Sequence, residues 1–586
     1  MKSILAAECG SSTTTAVLLE QVDGYFRLKA SGQTRASYGP PWNDIALSVT
    51  QAIRHIEQTV GRTLLTTGGW PITPRNAQGQ GVDAFALVCS AAEPLQLIIA
   101  GLMGDVSLMS AQRAAATTYS QINSLISLDA GEGQTHTAEG RIQVIKRYRP
   151  DVILLVGGTD GGAAEPVLEL ARTLSIAIQT LHRAAPTVLY AGNQALRPDM
   201  ADILGTVVAL SSIDNVRPTL DRENLAPLQL ELERLYLEKK MTQLPGFDKL
   251  VNWSQYPMLP ASKSFERLVT YVGHHHQVNV LGVSLGSRAS TVVAQPKEGQ
   301  AELVVRGDAG VGYGVSSLLK VTPIDQIQRW LPFDLSIEEL DNYLLNKSLY
   351  PNTLPTSFED LMIEQAVARE AIRLAAEQAC RHCRETAWDQ IIAAGRALTG
   401  APQAMQAALL LLDGLEPWGV TRLMLDGYGL VNVLGAIAAI EPRAAAQAAA
   451  SDTFVNLGTV IAPRGHGRRG QIALKLKLTY EQGETVEIEA PYGSLKVIGL
   501  PAGQTAEVEI RPARQFDLGL GQIGRAAKTR LEGGLLGLII DARGRPLRFP
   551  GSDEKRIEQV QHWLMSAGII DAATDHHHQP TEEDHA

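Results

Sequence analysis

An acid, a glycine and a run of hydroxyls open the chain: Glu8, then Gly10, Ser11, Ser12, Thr13 and Thr14, set between the apolar stretches 4–7 and 16–19. A turn of this composition suits an anion. Glycine lets backbone approach a phosphate with no Cβ in the way, successive turn N–H groups can point into one concavity, and the hydroxyls add donors. A carboxylate at Glu8 can hold the water shell of Mg²⁺. The same order returns at 278–294, where Gly286, Ser287, Arg288, Ala289, Ser290 and Thr291 separate two apolar runs. The two motifs lie about 270 residues apart, which predicts a duplicated fold with one phosphate cradle in each half.

A third junction, at 151–162, runs from an apolar strand into Gly157, Gly158, Thr159, Asp160, Gly161 and Gly162. A glycine-rich turn needs no acid for structure alone, so Thr159 and Asp160 stand as candidate binding residues beside a turn-capping role. Other chemistry-bearing letters read more simply. Cys380, Arg381, His382 and Cys383 fall in a predicted Ala-rich helix and lack the second pair that a four-ligand zinc site needs. His274, His275 and His276 read as a loop, and His576, His577 and His578 as part of a tail. Cys89 and Ser90 lack a nucleophile elbow, and the basic run 464–470 reads as a solvated loop.

The elements that must carry these motifs alternate between strand and helix over the first 450 residues, which predicts α/β layers with mostly parallel pairing. Ile45, Val49, Ala52, Ile53, Ile56 and Val60 make one helical stripe, with Asn43 or Asp44 to cap it and Gly61 to end it. A long helix starts at the capping residue Ser357, with Asp360 three positions on, and is expected to reach about Trp388. Strand-to-turn junctions are expected at 391–398 and 422–430. Beyond 452 the period changes to two, with Ile472, Leu474, Leu476, Leu478 and Tyr480 alternating with other residues, which predicts a compact antiparallel β module.

Composition narrows the function classes. The 586 residues are 45% hydrophobic, enough for roughly three or four domains. Lys plus Arg is 52 against 62 for Asp plus Glu, a net charge of −10, and no segment concentrates basic residues, so nucleic acid is not an expected partner. Four cysteines, unevenly spaced, fit a reducing compartment, and the cytoplasm is the expected location. The N-terminal apolar run breaks at Glu8, so no signal peptide is expected, and no stretch approaches the roughly 18 apolar residues of a membrane span.

Two hydroxyl-glycine hairpins, one per half, resemble the phosphate loops of the actin, hexokinase and Hsp70 ATPase superfamily. The run 151–162, together with Ala191, Gly192 and Asn193 and with the segment 304–310, resembles the glutamate mutase L-component family, over about residues 2 to 450. A later segment, 533–547, resembles the β extension of its longer members. The resemblance implies two actin-like (ribonuclease H-like) lobes, at 1–275 and 276–452, followed by a C-terminal antiparallel β module at 453–560 and a disordered tail at 574–586. It implies an ATP-using accessory or reactivating, chaperone-like partner of an adenosylcobalamin-dependent mutase, not the mutase itself. No cobalamin site is expected, because the nearest approach to a corrin-ligating loop, 575–580, lacks the glycine.

Carried onto this chain, the resemblance places ATP on Glu8, Gly10, Ser11, Ser12, Thr13 and Thr14, on Gly157, Gly158, Thr159 and Asp160, on Gly286, Ser287 and Ser290, and on Gly395, with Mg²⁺ at Glu8. The chain departs from the family pattern at Glu8, where the family has Asp, and at Ser284, where the family has an acid. A third departure is at Arg396, beside a reduced glycine turn. A neutral serine cannot neutralise a divalent cation or take a proton from an attacking water, and general-base catalysis contributes roughly 10²- to 10⁴-fold in rate. Arg288 could stand in for the metal by neutralising phosphate charge. The expectation is therefore weak or absent ATP hydrolysis. A non-catalytic scaffold is the first alternative, and a small-molecule kinase drawing its carboxylate from Asp426 or Asp160 is the second.

Overall fold

The computed structural model describes residues 1–129, 137–181, 185–381 and 386–571. The expected tail at 574–586, its histidines, and both His382 and Cys383 lie outside the described residues.

Strands β1 (Ser3–Cys9), β2 (Thr13–Val22) and β3 (Tyr25–Arg35) form an antiparallel meander, and β4 (Ala84–Cys89) joins β1 in parallel with Cys9 opposite Cys89. The chain then leaves this sheet to build another. β5 (Leu95–Gly101), β6 (Ser120–Ser127), β7 (Val152–Leu155), β8 (Thr187–Tyr190) and β9 (Leu210–Ser212) are all parallel, in the order β6-β5-β7-β8-β9. β10 (Leu259–Pro260) returns to pair with β4 and completes the first lobe.

The second lobe repeats the plan. β11 (Val280–Leu285), β12 (Ser290–Gln295) and β13 (Glu302–Arg306) are antiparallel, β14 (Gln390–Ala394) joins β11 in parallel, and β15 (Gly419–Asp426) joins β14 in parallel. Each lobe therefore has a three-strand meander whose first strand continues into two parallel strands, the duplicated actin-like arrangement that the resemblance implies. This sheet does not stop at 452. β16 (Phe454–Ala462) pairs with β15, and strands Leu538–Asp541 and Leu495–Ile498 extend it to eight.

Four further strands, Ile472–Tyr480, Thr485–Pro491, Thr505–Pro512 and Ala527–Glu532, make a separate antiparallel sheet. Its alternation is as the sequence suggests: Leu474, Leu476 and Leu478 are buried while Lys475 and Lys477 are exposed.

Helix boundaries follow local chemistry. Asp44 accepts the N–H of Ala46 at 3.0 Å to start the helix Ile45–Val60, and Gly61 ends it in the left-handed region at φ 64°. Ser357 caps Phe358–Ala379 by accepting from the N–H of Asp360. That helix ends at Ala379, with Cys380 as its C-cap, short of the expected Trp388, and the N–H of Asp389 already donates to the carbonyl of Asn279 beside β11. The three histidines at 274–276 are not a loop but the last turn of the helix Ala261–His276, which carries the apolar stripe Phe265, Leu268, Val269 and Val272 through to its end.

Two helices join the lobes. Ala261–His276 leads from β10 to β11, and Val431–Ile440 leaves β15 and crosses it. At the crossing, a Cβ on Gly435 would lie 2.2 Å from the carbonyl oxygen of Ser264, and the N–H of Ala436 donates to Ser264 Oγ at 3.0 Å. Only glycine allows so close an approach.

Candidate functional site

The β1–β2 and β11–β12 hairpins close in the same way. The N–H of Gly10 donates to the carbonyl of Thr13 at 3.1 Å, and the N–H of Gly286 donates to that of Ala289 at 2.9 Å. A Cβ at Gly10 would stand 2.4 Å from Thr13 O, and one at Gly286 2.9 Å from Ala289 O. Both turns face one cleft of about 640 Å³ between the lobes.

Of the residues expected to bind, Glu8, Gly10, Ser11, Ser12, Thr13, Gly286, Ser287 and Gly395 line this cleft. Thr14 and Ser290 do not. Successive side chains of a strand point to opposite faces, so Thr13 and Thr15 reach the cleft while Thr14 is buried behind them, its Oγ1 donating to Ser48 Oγ at 2.8 Å. Ser290 is likewise buried and donates to the carbonyl of Ala309, whereas Ala289 and Thr291 face the opening.

Gly157, Gly158, Thr159 and Asp160 follow β7 in the parallel sheet and are absent from the cleft wall. There Asp160 Oδ1 accepts from Asn215 Nδ2 and from the N–H of Gln194, both at 3.0 Å, and Asn215 also bonds the carbonyl of Gly158. The structure thus gives Asp160 a loop-ordering contact.

Gly395 is needed for packing as much as for access. Its φ is +98°, and a Cβ there would lie 2.1 Å from the carbonyl of Leu285 at the end of β11. Arg396 follows it, exposed, at the cleft edge.

The electrostatics of the two hairpins differ. Glu8 is held by Asn432 Nδ2, 3.1 and 3.0 Å from its two carboxylate oxygens, and by Ser90 Oγ at 3.0 Å. Enclosure by protein raises its pKa above the ordinary carboxylate value, against these hydrogen bonds. Asp426, also on the cleft wall, accepts the N–H groups of Tyr428, Gly429, Leu430 and Val431 at 2.9–3.3 Å and so caps the second interlobe helix. Burial nevertheless pushes it up to about 6. On the second hairpin Ser284 holds the place opposite Thr291, and the charge comes from Arg288. Its guanidinium carbon lies 5.0 Å from the ring centre of Tyr38 and 4.5 Å from that of Tyr313. Ser12 Oγ and Arg288 Nε are buried without a hydrogen-bond partner.

A loop of which the sequence reading named only the start, up to Gly310, braces the second hairpin. The N–H groups of Gly312 and Gly314 both donate to Ser287 O at 2.9 Å, that of Val311 donates to Gly286 O at 3.1 Å, and that of Tyr313 to Ser287 Oγ at 3.2 Å. Cβ atoms at Gly310 and Gly314 would strike Arg288 backbone at 2.4 and 2.6 Å. The alternation of glycine at 310, 312 and 314 was the visible signal. Asn432 and Tyr38 gave none, and Ser90 was weighed only as a nucleophile, since what each meets lies far away in the chain.

Among the described residues, no cluster of three or more His, Cys, Asp or Glu side chains could hold a metal ion, and no helix is long and apolar enough to cross a membrane.

A family model described as MutL protein matches residues 4–453. Protein MutL of Clostridium tetanomorphum is 23% identical over 314 residues, which is 50% of this chain and 64% of that relative's length. The chain therefore matches less than two thirds of that protein. Among solved structures, component A of (R)-2-hydroxyglutaryl-CoA dehydratase from Acidaminococcus fermentans aligns over 98% of its chain and 77% of this one, at 9% identity and a TM-score of 0.26. Diol dehydratase-reactivating factor in its nucleotide-free form aligns over 100% of its chain and 75% of this one, at 10% identity and a TM-score of 0.28. Scores this low carry no functional inference.

Proposed function

We propose, from the premise that this chain belongs to the MutL protein family, that it is a nucleotide-binding accessory protein whose cleft closes on ATP and whose closure acts on a partner enzyme. The observation that carries this reading is the pairing of two glycine-hydroxyl turns of like geometry on one interlobe cleft. Helices that cross at Gly435 and Ser264 offer a route by which a change in the cleft reaches both lobes. The partner is an adenosylcobalamin-dependent mutase, as the family resemblance implies, and the functional units are the lobes 1–275 and 276–452 with the part 453–560, three strands of which extend the second lobe's sheet.

Hydrolysis is weak or absent in this reading. Ser284 offers no carboxylate, Glu8 is engaged by Asn432 and Ser90, and Asp426 is engaged by four backbone N–H groups. Each candidate for activating water is missing or occupied. The same facts weigh against a small-molecule kinase, and Asp160 does not reach the cleft.

Titration calorimetry of the whole chain with ATP and Mg²⁺ is expected to give saturable heat, with a matching rise in Tm. No heat and no shift would remove the nucleotide from this reading. Capture of mutase subunits that strengthens with ATP is expected, whereas capture indifferent to ATP would favour a scaffold that has lost its ligand.

A further inference from the structure

We propose that Arg288 takes the place of a divalent cation in this cleft, so that the phosphates of a nucleotide bind here without metal. The inference rests on the nucleotide reading above and goes beyond it by naming what neutralises the phosphate charge.

Two facts about the donors argue against a metal. Mg²⁺ demands near-octahedral oxygen coordination, with one or two carboxylates beside its waters and the phosphates. Here the second hairpin carries Ser284 in place of an acid. The carboxylates left on the cleft wall beside the hairpins are already engaged: Glu8 by Asn432 and Ser90, and Asp426 by the N-terminus of the helix Val431–Ile440. Glu364, farther along the wall, is paired with Lys347.

Four facts about Arg288 argue for an anion receptor. It sits in the turn of the second hairpin and lines the cleft. Its guanidinium carbon lies 5.0 Å from the ring centre of Tyr38, from the first lobe, and 4.5 Å from that of Tyr313, from the brace of the second, and the side chain also bonds Tyr119, so aromatic side chains of both lobes hold the charge at the cleft. Its Nε is buried and has no acceptor. No ion pair joins it to a carboxylate among the described residues, and Glu93, which acts on the Tyr38 and Tyr119 hydroxyls beside it, is exposed. A cation held by aromatic faces and lacking a counter-ion is completed by phosphate, which a guanidinium grips through two parallel hydrogen bonds. Across the cleft, Ser12 Oγ is a second buried polar atom without a partner. Each hairpin turn therefore carries one buried polar atom without a partner.

The test is calorimetry of the full chain with ATP, once in Mg²⁺ and once in EDTA. Affinity is expected to agree within about twofold between the two conditions, and Arg288→Gln is expected to weaken it on the order of tenfold or more in both, the loss of one charge-assisted pair. Arg288→Lys, which keeps the charge and loses the fork, should fall between them, and it serves in place of the Gln variant if that one melts early. ATP binding only with Mg²⁺ would overturn the inference and leave the nucleotide reading intact. Undiminished binding by both variants in EDTA would also overturn it. Absence of ATP binding both in Mg²⁺ and in EDTA would remove the inference and the nucleotide reading together.

Discussion

The two hairpins share a backbone and differ in charge. Gly10 and Gly286 close the same turn hydrogen bond at the ends of β1 and β11, yet the first turn follows an acid and the second contains a base. Duplication sets the backbone because glycine is dictated by sterics at each turn. The side chains at 8, 284 and 288 are free of that constraint and are set by what each lobe contributes to the cleft. Fold symmetry thus does not imply electrostatic symmetry.

The comparison can be broken first at the glycines. Gly10→Val should cost about 3–4 kcal/mol and abolish nucleotide binding, because its Cβ would stand 2.4 Å from backbone. Gly286→Ala, with 2.9 Å to its neighbour, should cost about 1 kcal/mol, and thermal melts of the two variants check the order.

Acidity should act on the cleft through Asp426, at the end of β15. The turn of Asp426 touches the first hairpin, since a Cβ on Gly429 would lie 2.6 Å from Thr15 Cγ2. Asp426 has a folded-state pKa of about 6 against an unfolded 3.8, so the folded state takes up the proton first as pH falls. Stability from this group therefore grows as pH drops from about 6 towards 4, by up to about 3 kcal/mol, and is lost as pH rises again. Asp426→Asn should flatten that part of the Tm profile, and an unchanged slope would refute the assignment.

A smaller effect is expected from Asn432→Ala. It strips two hydrogen bonds from Glu8 and should cost about 1–2 kcal/mol at pH 7, and less at pH 4, where Glu8 is protonated. Smallest of all is Ser284→Asp, which makes the hairpins alike. It should leave Tm within about 0.5 kcal/mol of stability and make ATP affinity depend on Mg²⁺ by about threefold, measured by titration with and without EDTA.

Much of this architecture was legible in short windows. The Asp44 and Ser357 caps, the Gly61 stop, and the leucine alternation after 472 each depend on neighbours within a few residues, and each appears as read. Thr14 and Ser290 were legible in type but not in direction, because a one-residue step along a strand reverses the face. The glycine-rich loop after β7 was legible as a turn, yet its place in a separate sheet depends on strand order, which no local pattern carries. The chain past 452 reads as a new period, but β16 still pairs with β15, since a sheet edge accepts any strand that reaches it.

By itself the sequence determined which turns can approach an anion: glycine and hydroxyl placement is a property of four or five consecutive residues. Tertiary structure alone decided what completes them. Asn432 meets Glu8 from 424 positions away, and Tyr38 meets Arg288 from the other lobe. Such contacts come from how the two sheets and their crossing helices pack, and packing between distant segments has no signature in either segment alone.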